Sequence, residues 1–298
     1  IGQLQSPLSG LSGIIPQYYS MIASCERMQE IEQLPEEKAG EEIDPGALYK
    51  DLKEIVFDRV SFGYGRERVL DTFCCTIPKG GLTAVLGRSG RGKSTLLKSC
   101  SGLLTPKVGS VLLDGQDLSK YPANQRARKV SYLSQSSSTP NITVERLLAH
   151  ARFPYLSYPK KLKTEDWNII YKAMGDMKAA VFMHDSLREL SGGERQRVYL
   201  AMQLAQDTPI LLLDEPTTYL DIEYQLLLME VLTDLKKNGR TVIMVLHDLE
   251  QALRFSDRIV AIDEEKNFHS GRPREILDSG TLSRIFRVDI RRSEYSFV

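Results

Sequence analysis

"LTAVLGRSGRGKSTLLKSC", residues 82–100, passes from an apolar β-like run through a glycine-rich loop into a helix-like stretch. Within it, "GRSGRGKST" at 87–95 fits G-x-x-x-x-G-K-[ST], and strand before and helix after are the context that pattern requires. The chemistry explains the spacing. Gly87, Gly90 and Gly92 let the backbone curl around Ser89, so that successive N–H groups and a helix N-terminus face phosphate oxygens. Lys93 then places a point charge on the β and γ phosphates, Ser94 becomes a Mg²⁺ ligand, and Thr95 completes the loop. Arg88 and Arg91 are unusual in such a loop, and either point to solvent or reach a phosphate.

"ILLLDEP" at 210–216 reads as a buried strand ending in two acids. Such an ending is either a solvated edge or, beside a phosphate loop, a catalytic pair. In the second case Asp214 holds Mg²⁺ through water and Glu215 polarises an attacking water. Other apolar runs, "LTAVLG" and "TVIMVLHD", alternate with helical stretches, which predicts a parallel sheet covered on both faces. Upstream, "EIVFDRVSFGYGRERVLDTFCCTIPKG" from Glu54 predicts several strands.

The bulk numbers narrow the function classes. Lys+Arg and Asp+Glu both total 39, so no global basic field argues for nucleic acid or an anionic membrane, and any polyanion site is local. Four cysteines, with no C-x-x-C spacing, predict free thiols rather than a metal cluster. No window reaches the run of about 18 apolar residues that spans a bilayer.

"LSGGERQRVYLAMQLAQDTP" at 190–209 decides among phosphate-loop proteins. With it, the chain resembles the nucleotide-binding domain of ATP-binding-cassette (ABC) transporters, over roughly residues 54–290. The resemblance implies an α/β P-loop NTPase fold of ABC type, with a mixed parallel sheet core, an antiparallel β subdomain and a helical subdomain at about 136–208. It implies ATP hydrolysis with Mg²⁺. Tyr64 matches the aromatic residue that stacks on adenine, Gln135 the glutamine near Mg²⁺ that couples to the membrane subunit, and His247 the histidine that senses the γ-phosphate. "TYLD" at 218–221, with Asp221, matches the D-loop, where Tyr219 replaces the usual small residue. Ser191, Gly192 and Gly193 open a helix, a ready-made anion site. The resemblance implies that this site closes on ATP held by Lys93 of a second copy in a head-to-tail dimer.

The phrases "HARFPYL", "LDIEYQ" and "LHDLEQALRFSDRIVAI" look like importer ATPases for iron-siderophore complexes, with haem and cobalamin importers close by. The implied partners are membrane permease subunits and, indirectly, a solute-binding protein, at the cytoplasmic face of the membrane; no nucleic acid is expected. "DEEKNFHSG" departs from the family's glycine-containing hairpin and puts a local turn in doubt. The beginning of the chain looks different. Leu4, Leu8, Leu11, Ile15, Tyr18, Ile22 and Cys25 form one apolar stripe, predicting a helix over 1–32, with Pro7 and Pro16 against it. A linker at 33–52, the ATP-binding domain at 53–290 and a tail at 291–298 complete the expected organisation. The segment before about Ser99 resembles the end of an exporter membrane helix, its linker and first strands, so a hybrid of exporter N-terminus and importer body is expected. Two other functions remain open: an exporter ATPase separated from its membrane domain, and a non-transport ABC ATPase.

Overall fold

The computed structural model describes residues 54–64, 67–135, 139–157 and 160–290. The expected N-terminal helix, linker and C-terminal tail lie outside them, as do the side chains of Tyr64, Glu67 and Arg68. Two sheets organise the described chain. β1 (Glu54–Tyr64), β2 (Glu67–Pro78), β4 (Val108–Leu113) and β5 (Gln116–Asp117) form an antiparallel sheet in the order β2-β1-β4-β5. Ile55 and Phe57 point inward as alternation requires, but strict alternation would then bury Arg59. A shift in register between Phe57 and Val60, with Arg59 at φ 49°, turns the arginine out and buries Val60 instead.

The second sheet has the order β10-β9-β3-β8-β7-β6. Its parallel members are β3 (Leu82–Gly87), β6 (Val130–Leu133), β7 (Ile210–Asp214), β8 (Thr241–Val245) and β9 (Arg258–Ile262). β10 (Phe268–Gly271) pairs antiparallel with β9. Every residue of β3, β7 and β8 is buried, which is why these strands read as unbroken apolar runs rather than alternating ones.

Each face of the sheet has its own cover. Val85, Leu212, Ile243 and Val260 pack with Phe57 and Phe73 of the antiparallel sheet and with α1 (Lys93–Cys100). Ala84, Leu211, Leu213 and Met244 face the opposite cluster, which takes in the helices inserted between β6 and β7: α3 (Val144–Ala151), α4 (Thr164–Asp176) and α5 (Gly192–Ala205), with α2 (Ala123–Lys129) preceding β6. Inside that insert Arg152 Nε meets Asp166 Oδ1 at 2.9 Å and Arg152 Nη1 donates to Ala205 O at 3.1 Å. The buried guanidinium thus has both a counter-charge and a carbonyl, which offsets its desolvation. α6 (Ile222–Lys237), α7 (Leu249–Phe255), α8 (Pro273–Asp278) and α9 (Thr281–Phe286) complete the layers.

The parallel register positions the site. Leu133 pairs with Leu213, Leu213 with Met244, and Met244 with Ala84. The carboxyl ends of β6, β7, β8 and β3 therefore finish side by side, where open α/β sheets bind their ligands.

Candidate functional site

Gly87 ends β3 at φ 155°, and a Cβ built there would lie 2.9 Å from Ile262 O. Only glycine lets the loop turn off the strand this close to the β9 backbone. Residues 88–90 are exposed, and α1 begins after Gly92 without a side-chain cap, leaving first-turn N–H groups for an anion. Lys93 stands in that turn, only 5% exposed, with Nζ donating to Gly87 O at 2.7 Å and Arg88 O at 3.0 Å. Burial pushes its pKa down, against the pull of the Glu215 and Asp214 carboxylates.

Asp214 ends β7 with 1% exposure. Tyr132 Oη donates to its Oδ2 at 3.3 Å, while Oδ1 is buried without a hydrogen-bond partner. Burial raises the pKa of this carboxyl; the nearby Ser94 hydroxyl and Tyr132 oppose the rise, and the Glu215 charge adds to it. An orphaned carboxylate oxygen and the nearby Ser94 hydroxyl are hard oxygen donors of the kind that fits Mg²⁺. Stability follows from the sign of the shift. In the unfolded chain Asp214 ionises at lower pH than in the folded one, so its contribution falls as pH rises from the unfolded towards the folded pKa and stays lower at neutral pH. Asp214→Asn removes that penalty. Thermal unfolding at neutral pH with Mg²⁺ chelated is expected to shift upward in the variant.

One step past Asp214, Glu215 adopts φ 54°, a left-handed backbone costing about 1–2 kcal/mol for a non-glycine residue. The turn directs its carboxylate between two neighbours. Gln135 Nε2 donates to Oε2 at 2.8 Å, and His247 Nε2 lies 2.6 Å from Oε1. Gln135 and Glu215 each sit two residues beyond the Leu133–Leu213 pair, so the β6–β7 register makes their meeting automatic. His247 follows β8 and is held by the next segment, where Asp248 Oδ1 caps α7 by accepting from Glu250 N at 2.8 Å and Gln251 N at 3.1 Å. Lys93, Ser94, Gln135, Asp214, Glu215 and His247 thus gather at one edge of the sheet.

Other expected site residues stand elsewhere. Ser191 caps α5: Ser191 N donates to Glu194 Oε2 at 2.8 Å, and Ser191 Oγ accepts from Glu194 N at 3.4 Å. At Gly193 a Cβ would lie 3.0 Å from Tyr219 O, so this helix start is packed on the D-loop backbone, where Tyr219 takes φ 69° and stays 74% exposed. Gln196 Nε2 donates to Pro216 O at 3.0 Å, linking α5 to the segment behind Glu215. Asp221 caps α6, its Oδ1 accepting from Tyr224 N at 3.1 Å. Tyr64 closes β1 with its side chain outside the described residues.

Arg88, itself exposed, and Arg91 both meet a partner the sequence did not signal. Arg88 Nη1 meets Glu264 Oε1 at 2.6 Å, and Arg91 Nη1 donates to Glu264 O at 3.0 Å. Glu264 belongs to the turn between β9 and β10, the segment without the usual glycine. That turn closes because Lys266 takes φ 68° itself and Asp263 Oδ1 accepts from Glu265 N and Asn267 N, at 2.9 and 2.8 Å. Tyr132 and Glu264 carry no sequence signal for these roles, since their partners come from segments distant in the chain.

This fold, with a phosphate loop beside an acidic strand end, is that of a P-loop ATPase. A profile of the ABC transporter family matches residues 70–218. The chain belongs to the ABC transporter ATPase family. It is 41% identical over 231 residues to the ferric enterobactin transport ATP-binding protein FepC of Escherichia coli (strain K12), covering 77% of this chain and 85% of that protein. It is 38% identical over 240 residues to the iron(3+)-hydroxamate import ATP-binding protein FhuC of Bacillus subtilis (strain 168), covering 80% and 89%. Among solved structures, a dimeric ATP-binding cassette in a post-hydrolysis state, bound to ADP and Pi, superimposes with a TM-score of 0.66 at 25% identity over 74% of this chain and 98% of that one. Among the described residues no helix is long and apolar enough to cross a membrane.

Proposed function

We propose that this ATPase energises import of an iron-siderophore or related metal chelate, working at the cytoplasmic face of a membrane against separate permease subunits. The observation that carries the reading is the likeness, over about four-fifths of the chain, to ATP-binding subunits named for ferric-chelate import. ATP lies with its phosphates against the N–H groups of Gly87, Ser89, Gly90 and Gly92 and the start of α1, Lys93 neutralising the β and γ phosphates and Thr95 closing the loop. Tyr64 stacks on the adenine. Ser94, Gln135 and Asp214 would hold Mg²⁺, which would offset charge on the phosphate oxygens. Glu215 is the general base, accepting a proton from the attacking water. Its two oxygens each meet one partner, Gln135 and His247, which leaves acceptor sites for the attacking water. His247, once released, can hydrogen-bond the γ-phosphate.

In a head-to-tail dimer, Ser191, Gly192 and Gly193 of one copy cover the nucleotide on the other, with Asp221 at the same seam. The dimeric cassette holding ADP and Pi supports pairing of two copies. The ATP-binding unit spans 53–290, with 136–208 as its helical, permease-facing part, and a solute-binding protein acts indirectly through the permease. Coexpression with candidate permeases provides the test: the ATPase is expected to copurify with a separate multi-span permease and to drive ATP-dependent uptake of a labelled ferric chelate into vesicles. Purification without any permease, or uptake indifferent to ATP, would sink the import reading.

A further inference from the structure

Three arginines from two distant segments converge on Glu264. Arg88 bonds one carboxylate oxygen at 2.6 Å, Arg287 Nη2 the other at 2.8 Å, and Arg91 the backbone carbonyl at 3.0 Å. Two of the three belong to the phosphate loop itself. The same residue Arg88 accepts Lys93 Nζ through its own carbonyl at 3.0 Å, so the loop's backbone and the lysine share one tether with the Arg88 side chain. Hydrogen bonds from Arg88 and Arg287 hold the Glu264 carboxyl below the usual carboxylate range, so it is charged throughout the neutral pH region.

The contacts are exposed: side-chain exposure is 46% for Arg88, 68% for Arg287 and 36% for Glu264. Ion pairs of this kind add little to folding. They do decide where the exposed Arg88 cation stands relative to a polyanion that binds a residue or two away. Without the Glu264 carboxylate, the Arg88 guanidinium would be drawn to the phosphates as an additional ligand, in forked geometry well suited to them, while Arg91 keeps its backbone carbonyl.

We propose that Glu264 is a positioning residue for the ATPase reaction: its carboxylate holds Arg88 on the β9–β10 turn and thereby leaves Lys93 as the phosphate loop's principal cation on the nucleotide. This inference rests on the phosphate-loop reading given above. The restraint weakens binding of ATP and ADP alike.

The test is a cycle of purified full-length variants: Glu264→Gln, Glu264→Asp, Arg88→Gln with Arg91→Gln, and Glu264→Gln in that double background. ADP affinity is measured by calorimetry, and kcat and KM for ATP in the steady state. Glu264→Gln is expected to tighten ADP about fivefold and lower KM by a similar factor, the change a charge pair a few ångströms apart yields in a water-like dielectric. kcat should hold, because ground and transition states gain the same contacts. Glu264→Asp should stay close to wild type, and the tightening should vanish where both arginines are gone. Unchanged ADP affinity in Glu264→Gln overturns the proposal, as does tightening that persists without the arginines, since lost carboxylate charge alone would then explain it. A Lys93→Ala control separates the two levels. If that variant loses nucleotide while Glu264→Gln changes nothing, only the role of Glu264 fails; if it binds as wild type, the phosphate-loop reading fails and takes this inference with it.

Discussion

Glu215→Gln is expected to bind ATP almost as wild type and to hydrolyse it about 10² to 10⁴ times more slowly, the span over which a positioned general base contributes. The exchange keeps shape and removes only basicity. A glutamine amide can still accept from Gln135 Nε2 and meet His247 with its NH₂, so both contacts of the native carboxylate have replacements. The backbone at φ 54° is no worse for glutamine than for glutamate. The melting temperature should therefore move little. Single-turnover hydrolysis alongside equilibrium nucleotide binding reads the two quantities separately, and hydrolysis at the wild-type rate would remove Glu215 from the chemistry.

Lys93→Ala is expected to fail at the earlier step, with nucleotide affinity lowered about 10- to 100-fold, the worth of a charge-assisted contact to phosphate. The nucleotide-free protein should not suffer comparably. Lys93 is 5% exposed, among the described residues its ammonium bonds to the carbonyls of Gly87 and Arg88, and burial lowers its pKa, so the folded chain holds this charge at a cost. Titration calorimetry measures the affinity and thermal unfolding the stability. Tight binding in the variant would count against the role of Lys93, and a large loss of stability against the account of its burial. The two variants differ in kind, because one removes a group needed only as water attacks and the other a group needed whenever phosphate is present.

Much of this was legible in the chain because local chemistry and local structure coincide there. The loop at 87–95 needs glycine, lysine and serine in a fixed order, and the runs Ile210–Asp214 and Thr241–Val245 are apolar throughout because both faces of a parallel strand are covered. Arg59 shows where such reasoning stops: the bulge that turns it outward breaks the two-residue period that would have buried it. Arg88 and Arg91 show the same at the site. Their long side chains can reach solvent, phosphate or protein, and the choice fell to Glu264, 176 residues beyond Arg88.

The sequence by itself determined the class of chemistry, because phosphate cradle, acidic strand end and helix-opening signature are each written in contiguous residues whose conformations follow from their own side chains. Tertiary structure alone decided who acts on whom. Gln135 and Glu215, 80 residues apart, share a hydrogen bond because β6 and β7 pair with Leu133 opposite Leu213, and His247 joins them because β8 lies on the other side of β7. Strand order and register are set by how the two faces of the sheet bury their apolar side chains against separate clusters, a balance no single segment contains.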